Sequence, residues 1–327
     1  MNKRVFDGCG WAVGEIGFGA WAIGSGWGKV SEDEALAALR AALEAGVNFI
    51  DTADVYGDGR SEKLIGQVLR EHGGRIYVAT KAGRRLHPHH ADGYTEANLN
   101  QFVDRSLTNL SVDTIDLLQL HCPPPDVYYR PEIFAILDRM VDAGKIQYYG
   151  VSVERVEEGL KAIEYPGVRS VQIIFNMFRY RPAELFFHEC RKKNVAIIAR
   201  VPLASGLLSG KMKRDTVFPD DDHRQFNRYG QRFDRGETFS GVDYETGLRA
   251  VDKLRVIKPE SFSMTQFALK WILMFPEVTT VIPGAKNKRQ AEENALTSQL
   301  PPLSEEIMDE VEIIYEELIR DEVHHAW

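Results

Sequence analysis

Short apolar runs alternate with longer amphipathic ones along almost the whole chain, and that rhythm sets the expected fold. The run 47–50 is short and uniformly apolar, as in a strand buried on both faces. The stretch 61–71 repeats apolar residues at helical spacing (Leu64, Ile65, Val68, Leu69) and reads as a helix capped by Ser61. The same pair recurs: strands are predicted at 76–80, 114–120, 146–151, 170–175, 195–201 and 279–282. Helices are predicted between them at 95–110, 131–143, 156–163, 182–193 and 264–274, with two more at 289–296 and 304–319. Upstream, Ser31 and Glu34 form a capping box, and Leu36, Leu39, Ala42 and Leu43 carry that helix to Gly46. The glycine-punctuated stretch 5–15 reads as a hairpin and 16–20 as the first strand.

Eight strands, each followed by a helix, call for an all-parallel sheet covered on both faces. A chain of 327 residues suits a closed (β/α)8 TIM barrel with an N-terminal β-hairpin, a long loop after strand 7 and an extra C-terminal helix. A doubly wound open sheet normally carries G-x-G-x-x-G after its first strand, and Gly17, Gly19 and Gly24 do not have that spacing. No shift in composition marks a linker, so residues 1–327 are read as one domain. The stretch 203–245 is too long for a structureless connection and is expected to be a lid or binding loop.

Composition narrows the function. The chain is 44% hydrophobic and 27% charged with a net charge of −8, which suits a soluble globular protein and argues against a nucleic-acid surface. Cys9, Cys122 and Cys190 are odd in number and far apart, suggesting neither a disulfide framework nor a zinc site. With no signal-peptide pattern and no window near the ~18 apolar residues of a membrane span, a cytoplasmic protein without membrane contact is expected.

In a barrel of this kind chemistry sits at the C-terminal ends of the strands. Those ends present Asp51 after the second strand, Lys81 after the third and His121 after the fourth, with Tyr56 in the second loop. A lysine ammonium beside a phenol lowers the cost of its phenolate, and a carboxylate keeps that lysine charged. Lys81 is therefore expected to tune Tyr56, Asp51 to orient Lys81, and His121 to hydrogen-bond the same substrate oxygen. With no G-x-S-x-G and no suitably placed cysteine, carbonyl protonation coupled to hydride delivery suits the set better than acyl transfer.

The segments D-T-A-D-V-Y-G (51–57), T-K (80–81), L-Q-L-H (118–121), G-V-S (150–152), Q-I-I-F-N (172–176), P-L-A-S-G-L-L-S-G-K (202–211), I-P-G-A-K (282–286) and Q-A-E-E-N (290–294) together resemble the aldo-keto reductase family. The resemblance implies an oxidoreductase that reduces a small-molecule aldehyde or ketone with NADPH, NADH being the alternative cofactor. It implies Tyr56 as proton donor and Asp51, Lys81 and His121 as the rest of a catalytic tetrad. Ser152, Gln172 and Asn176 fall where the family holds the nicotinamide amide. Pro202, Leu203, Ser205, Gly206, Leu207 and Lys211 fall along the pyrophosphate, and Gly284, Lys286, Gln290, Glu293 and Asn294 at the adenosine end. Gly284 is expected to open a helix whose amides attract phosphate. Arg200 stands where relatives place an aromatic residue against the nicotinamide, a departure that puts a cation there. The family also includes potassium-channel β-subunits, so a nicotinamide-nucleotide-binding regulatory subunit is the alternative reading; the few residues before the hairpin are short for an inactivating extension.

Trp21, Trp27 and His87 are expected at the substrate mouth. The cluster at 87–90 is read as loop and not as metal ligands, since neighbouring histidines do not converge on one ion and a carboxylate-rich ligand set is lacking. Arg214, Arg224 and Arg228 are read as a solvated surface, with a cofactor clamp as the second reading. Oligomeric state is not legible in the sequence.

Overall fold

The computed structural model describes residues 1–24, 27–28 and 30–327. The chain opens with an antiparallel hairpin of β1 (Lys3–Phe6) and β2 (Trp11–Gly14). Eight parallel strands follow: β3 (Phe18–Gly19), β4 (Phe49–Asp51), β5 (Tyr77–Ala82), β6 (Ile115–His121), β7 (Ile146–Ser152), β8 (Val168–Ile174), β9 (Ala196–Arg200) and β10 (Val278–Val281). They pair in sequence order. The ring closes where Gly17 N donates to Val281 O (2.8 Å), Val281 N to Glu15 O (3.0 Å) and Gly19 N to Pro283 O (3.0 Å). The expected (β/α)8 barrel is therefore present, and β9 and β10 are buried at every residue because helices cover one face and the barrel interior the other.

Local chemistry accounts for most helix boundaries. Ser31 and Glu34 form the predicted reciprocal capping box at the start of Glu32–Glu44, and Thr95 caps Glu96–Leu110. Three boundaries differ from the pattern. The helix Arg60–Glu71 begins after Gly59, and the Ser61 hydroxyl, instead of capping, bonds Ala20 O (3.2 Å) and the Thr52 hydroxyl (2.8 Å) across a buried seam. The predicted helix at 182–193 is split into a turn, Arg181–Ala183, and a helix, Phe186–Lys192. Gly284 opens no helix: Lys288–Leu296 starts four residues later, where the Asn287 side chain accepts from Gln290 N (3.0 Å).

Two apolar cores divide the work. The larger lies between strands and helices, around Leu39, Ile65, Leu99, Leu137 and Trp271. The smaller plugs the N-terminal end of the barrel, where Phe6, Trp11 and Val13 of the hairpin meet Phe49, Ala79, Leu117, Ala196, Ile198 and Ile282. Over the opposite end folds the connection after β9, which is built from short helical turns at Ala204–Ser209, His223–Phe226, Arg235–Glu237 and Phe239–Gly241. The last residue fastens it, since the Trp327 indole donates to Asp234 Oδ1 (2.8 Å) and lies 4.0 Å from the Arg179 guanidinium. Among the described residues no helix is long and apolar enough to cross a membrane.

Candidate active site

The strand ends bring the four expected groups together. Asp51 closes β4, Lys81 lies near the end of β5 and His121 closes β6, while Tyr56 follows in the loop after β4. Lys81 Nζ donates to Asp51 Oδ2 (2.6 Å) and Thr52 O (2.8 Å), and stands 3.5 Å from Tyr56 Oη. Gln119 and Gln172 both donate to Asp51 Oδ1, at 3.2 and 2.7 Å, so the buried carboxylate is fully engaged. Gln119 carries no chemistry of its own and passes unnoticed in the sequence. The His121 ring stands edge-on to Tyr56, 5.9 Å between centroids.

Close packing sets the position of the phenol. A Cβ on Gly24 would fall 2.7 Å from Tyr56 Cβ and 2.9 Å from its carbonyl carbon, and one on Gly57 (φ 61°) would fall 2.6 Å from Gly24 O. The two glycines let the loops touch backbone to backbone, leaving Tyr56 little room to shift.

Burial dominates the electrostatics. It raises the Tyr56 phenol well above its usual range, reinforced by the negative charges of Asp51 and Glu237. The guanidiniums of Arg84 and Arg200 pull the phenol the other way without offsetting burial. Burial lowers Lys81, and Asp51 opposes that shift. Burial, with the charges of Arg84 and Lys81, pushes His121 well below its usual range, so its ring is neutral.

Above these groups runs a cavity of about 490 Å³. Asp51, Tyr56, Gln172, Arg200, Pro202, Leu203, Ser205, Gly206, Lys211, Gly284, Lys286, Gln290, Glu293 and Asn294 line it as expected, together with Trp21 and Trp27. Six expected residues do not line it. Lys81 and His121 are buried beside it, and Leu207 is buried on the side of Gly247. Ser152 meets the Cys122 thiol at 3.4 Å, and Asn176 is spent on Val201 O and the Ser240 hydroxyl, both at 2.8 Å. His87 is exposed and also lies off the cavity. Arg224, read first as surface, does line it and is gripped by Asp222 (2.5 Å), whereas Arg214 is exposed and paired with Glu245.

The cavity walls suit a phosphorylated dinucleotide. Near Tyr56 the wall is aromatic, with Trp21 and Trp27 packed 4.7 and 4.4 Å from the His223 ring. At the far end Lys286 and Lys211 have no carboxylate partner among the described residues, which leaves their charge for an anion. Lys286 Nζ donates to Trp27 O, and its backbone N–H to Gln290 Oε1.

The Aldo/keto reductase family model matches residues 15–316. The chain belongs to that family. It is 31% identical over 285 residues to the aldo-keto reductase YhdN of Bacillus subtilis (85% of this chain, 82% of that protein). It is 30% identical over 292 residues to the aldo-keto reductase yakc [NADP(+)] of Schizosaccharomyces pombe (86% and 83%). Among solved structures, the holo form of aldo-keto reductase AKR11C1 from Bacillus halodurans matches with a TM-score of 0.77 at 25% identity, covering 96% of each chain. This aldo-keto reductase is accordingly an oxidoreductase, and its barrel is the one its relatives share. Arg200 bonds Glu154 Oε2 and Glu237 Oε2, both at 2.8 Å, and Val153 O at 3.0 Å. Arg84 joins the same two carboxylates, at 2.9 and 3.1 Å. Arg84 and Glu154 lie just beyond strand ends, a positional signal the sequence offered. Glu237 had none.

Proposed function

We propose that this aldo-keto reductase reduces an aldehyde or ketone to the alcohol with NADPH, using Tyr56 as the proton donor. The observation that carries the reading is the placement of Tyr56 Oη beside the Lys81–Asp51 pair, on a cavity also lined by Lys286, which has no carboxylate partner among the described residues. When bound, NADPH supplies the hydride. The naming of the fission-yeast relative for NADP(+) supports that cofactor, with NADH as the weaker alternative.

The protein's own groups handle the proton. Tyr56 is held neutral by burial, so it enters the reaction as an acid. An alkoxide is a far stronger base than a phenolate, and the proton passes from Oη to the substrate oxygen as charge develops there, even from a phenol raised by burial. The phenolate left behind is met by the Lys81 ammonium 3.5 Å away, and Asp51 keeps that ammonium charged against the pull of desolvation. Neutral His121 offers a ring N–H to the same oxygen without competing as an acid. Trp21 and Trp27 wall the space beside Tyr56 and shape the entry of a small carbonyl compound.

The test follows NADPH absorbance with a reactive aromatic aldehyde in wild type and in Tyr56→Phe, with cofactor binding measured alongside. Turnover is expected in the wild type and should be lost in the variant without weaker binding. Wild-type protein that binds NADPH and turns nothing over would replace this reading with that of a nicotinamide-binding regulatory subunit.

A further inference from the structure

The charged groups around Arg200 form a closed ring that the proton chemistry above does not use. Arg84 and Arg200 alternate with Glu154 and Glu237, each guanidinium touching both carboxylates at 2.8 to 3.1 Å. Glu237 belongs to the long connection after β9, while Arg84, Glu154 and Arg200 stand at the ends of three barrel strands. The turn that follows Arg200 is held in place: Val201 is β-branched yet sits at φ 51°, and Asn176 binds its carbonyl. Arg200 is buried, its two terminal nitrogens are committed, and its Nε has no hydrogen-bond partner among the described residues.

Position connects this ring to the cofactor. Hydride transfer brings the nicotinamide within about 3–3.5 Å of the carbon whose oxygen meets Tyr56. Arg200, Glu237 and Tyr56 line the same cavity. An oxidised nicotinamide is cationic and a reduced one is neutral, so charge beside that ring acts on one form and not on the other. Two guanidiniums against two carboxylates balance, whereas a lone Arg200 would repel the oxidised form.

Resting on the proposed cofactor and on the expected place of Arg200 beside its nicotinamide, we infer that Glu237 is the positioning residue whose charge sets the preference between oxidised and reduced cofactor. The ring is thus a specificity element for redox state, completed only when the long connection lies over the barrel. Cys122 Sγ lies within 4.8 Å of oxygens of Glu154 and Glu237, but both carboxylates are already committed to guanidiniums, which disfavours a metal there.

The experiment measures Kd for NADP+ and for NADPH by fluorescence titration at pH 8.5, with folding checked by thermal melting. Glu237→Gln adds one net positive charge and is expected to raise the ratio Kd(NADP+)/Kd(NADPH) by about tenfold. Arg200→Met removes one positive charge and should lower the ratio by about as much. Because either single change orphans a buried charge, the double variant Arg200→Met with Glu237→Gln is the control that removes a balanced pair, and its ratio should return to within about twofold of wild type. Ratios unchanged in both single variants, or a double variant that keeps the shift of one parent, would overturn the inference while leaving the cofactor assignment standing. Wild-type protein that binds neither dinucleotide would overturn both.

Discussion

At its N-terminal end the barrel is stopped by Phe6, Trp11 and Val13, whereas at its C-terminal end Asp51, Lys81, His121 and Arg200 are buried as polar or charged groups. The first end is apolar and Arg4, which reaches its edge, is satisfied: it donates to the carbonyls of Leu273, Phe275 and Val278 and pairs with Glu15. The second end tolerates what the first avoids. His121 Nδ1 and Arg200 Nε are buried without hydrogen-bond partners among the described residues, and Cys122 and Val201, each directly after a strand's last residue, take φ values of 44° and 51°. Hydrophobic burial at one end stabilises the fold, and polar burial at the other costs stability while holding groups in reactive positions.

Substitutions at the two ends should therefore separate activity from stability. The largest effect is expected from Tyr56→Phe, which removes the proposed acid and should lower kcat by about 10²- to 10⁴-fold in the absorbance assay while the melting temperature stays near that of wild type. At the opposite end Trp11→Ala empties the space between Phe6, Tyr77 and Tyr148. It should cost about 3–5 kcal/mol in denaturant unfolding with kcat within about twofold of wild type, and a kcat that falls with stability would break the contrast.

Asp54, in the loop that carries Tyr56, tests the cost of polar burial directly. Its carboxyl group is buried without a charged partner in hydrogen-bond contact among the described residues, and burial, reinforced by Glu62 against the opposing Arg85, Arg105 and the Val55 backbone N–H, raises its pKa from 3.8 to about 7. A carboxyl whose folded pKa lies above its unfolded one favours folding most when protonated. Relative to Asp54→Asn, the wild type should thus be most stable below about pH 4 and lose ground as pH rises to 7, by at most about 4 kcal/mol. Parallel stability–pH curves for the two proteins would show that Asp54 is hydrated instead.

Two smaller effects sharpen the picture of the active end. Gly24→Ala pushes a Cβ into the backbone of Tyr56 and should lower kcat/KM by about 10²-fold with NADPH affinity little changed, as measured by steady-state kinetics and fluorescence titration. Lys286→Ala should raise KM for NADPH by about tenfold and KM for NADH hardly at all; equal changes would remove Lys286 from recognition of the extra phosphate.

The sequence by itself determined the barrel and which strand-end groups gather at one end of it. Buried strands and amphipathic helices are local patterns, so their alternation, the capping box at Ser31 and the hairpin could all be read in windows of a few residues. Once the strands were counted, Asp51, Lys81 and His121 followed as strand-end residues, because a barrel directs every strand end to one face. Local pattern also misled where a neighbour won: Ser61 is a good cap by type but is drawn to Ala20 O, and Gly284 precedes a helix that waits for Asn287.

Only the tertiary structure decided how the polar groups divide their hydrogen bonds. Asn176 and Ser152 carry the right chemistry for the cofactor, yet they are engaged by Val201, Ser240 and Cys122 and do not line the cavity. Arg200 stands out in the sequence, but the ring that neutralises it joins Arg84 to Glu237 across 153 positions and to Glu154 across 70. Such partners are set by how loops of different strands meet over the barrel, and a buried charge takes whichever opposite charge the packing brings within about 3 Å. No periodicity records that meeting, which is why the residues proposed as catalytic could be read from strand ends and the charge balance around them could not.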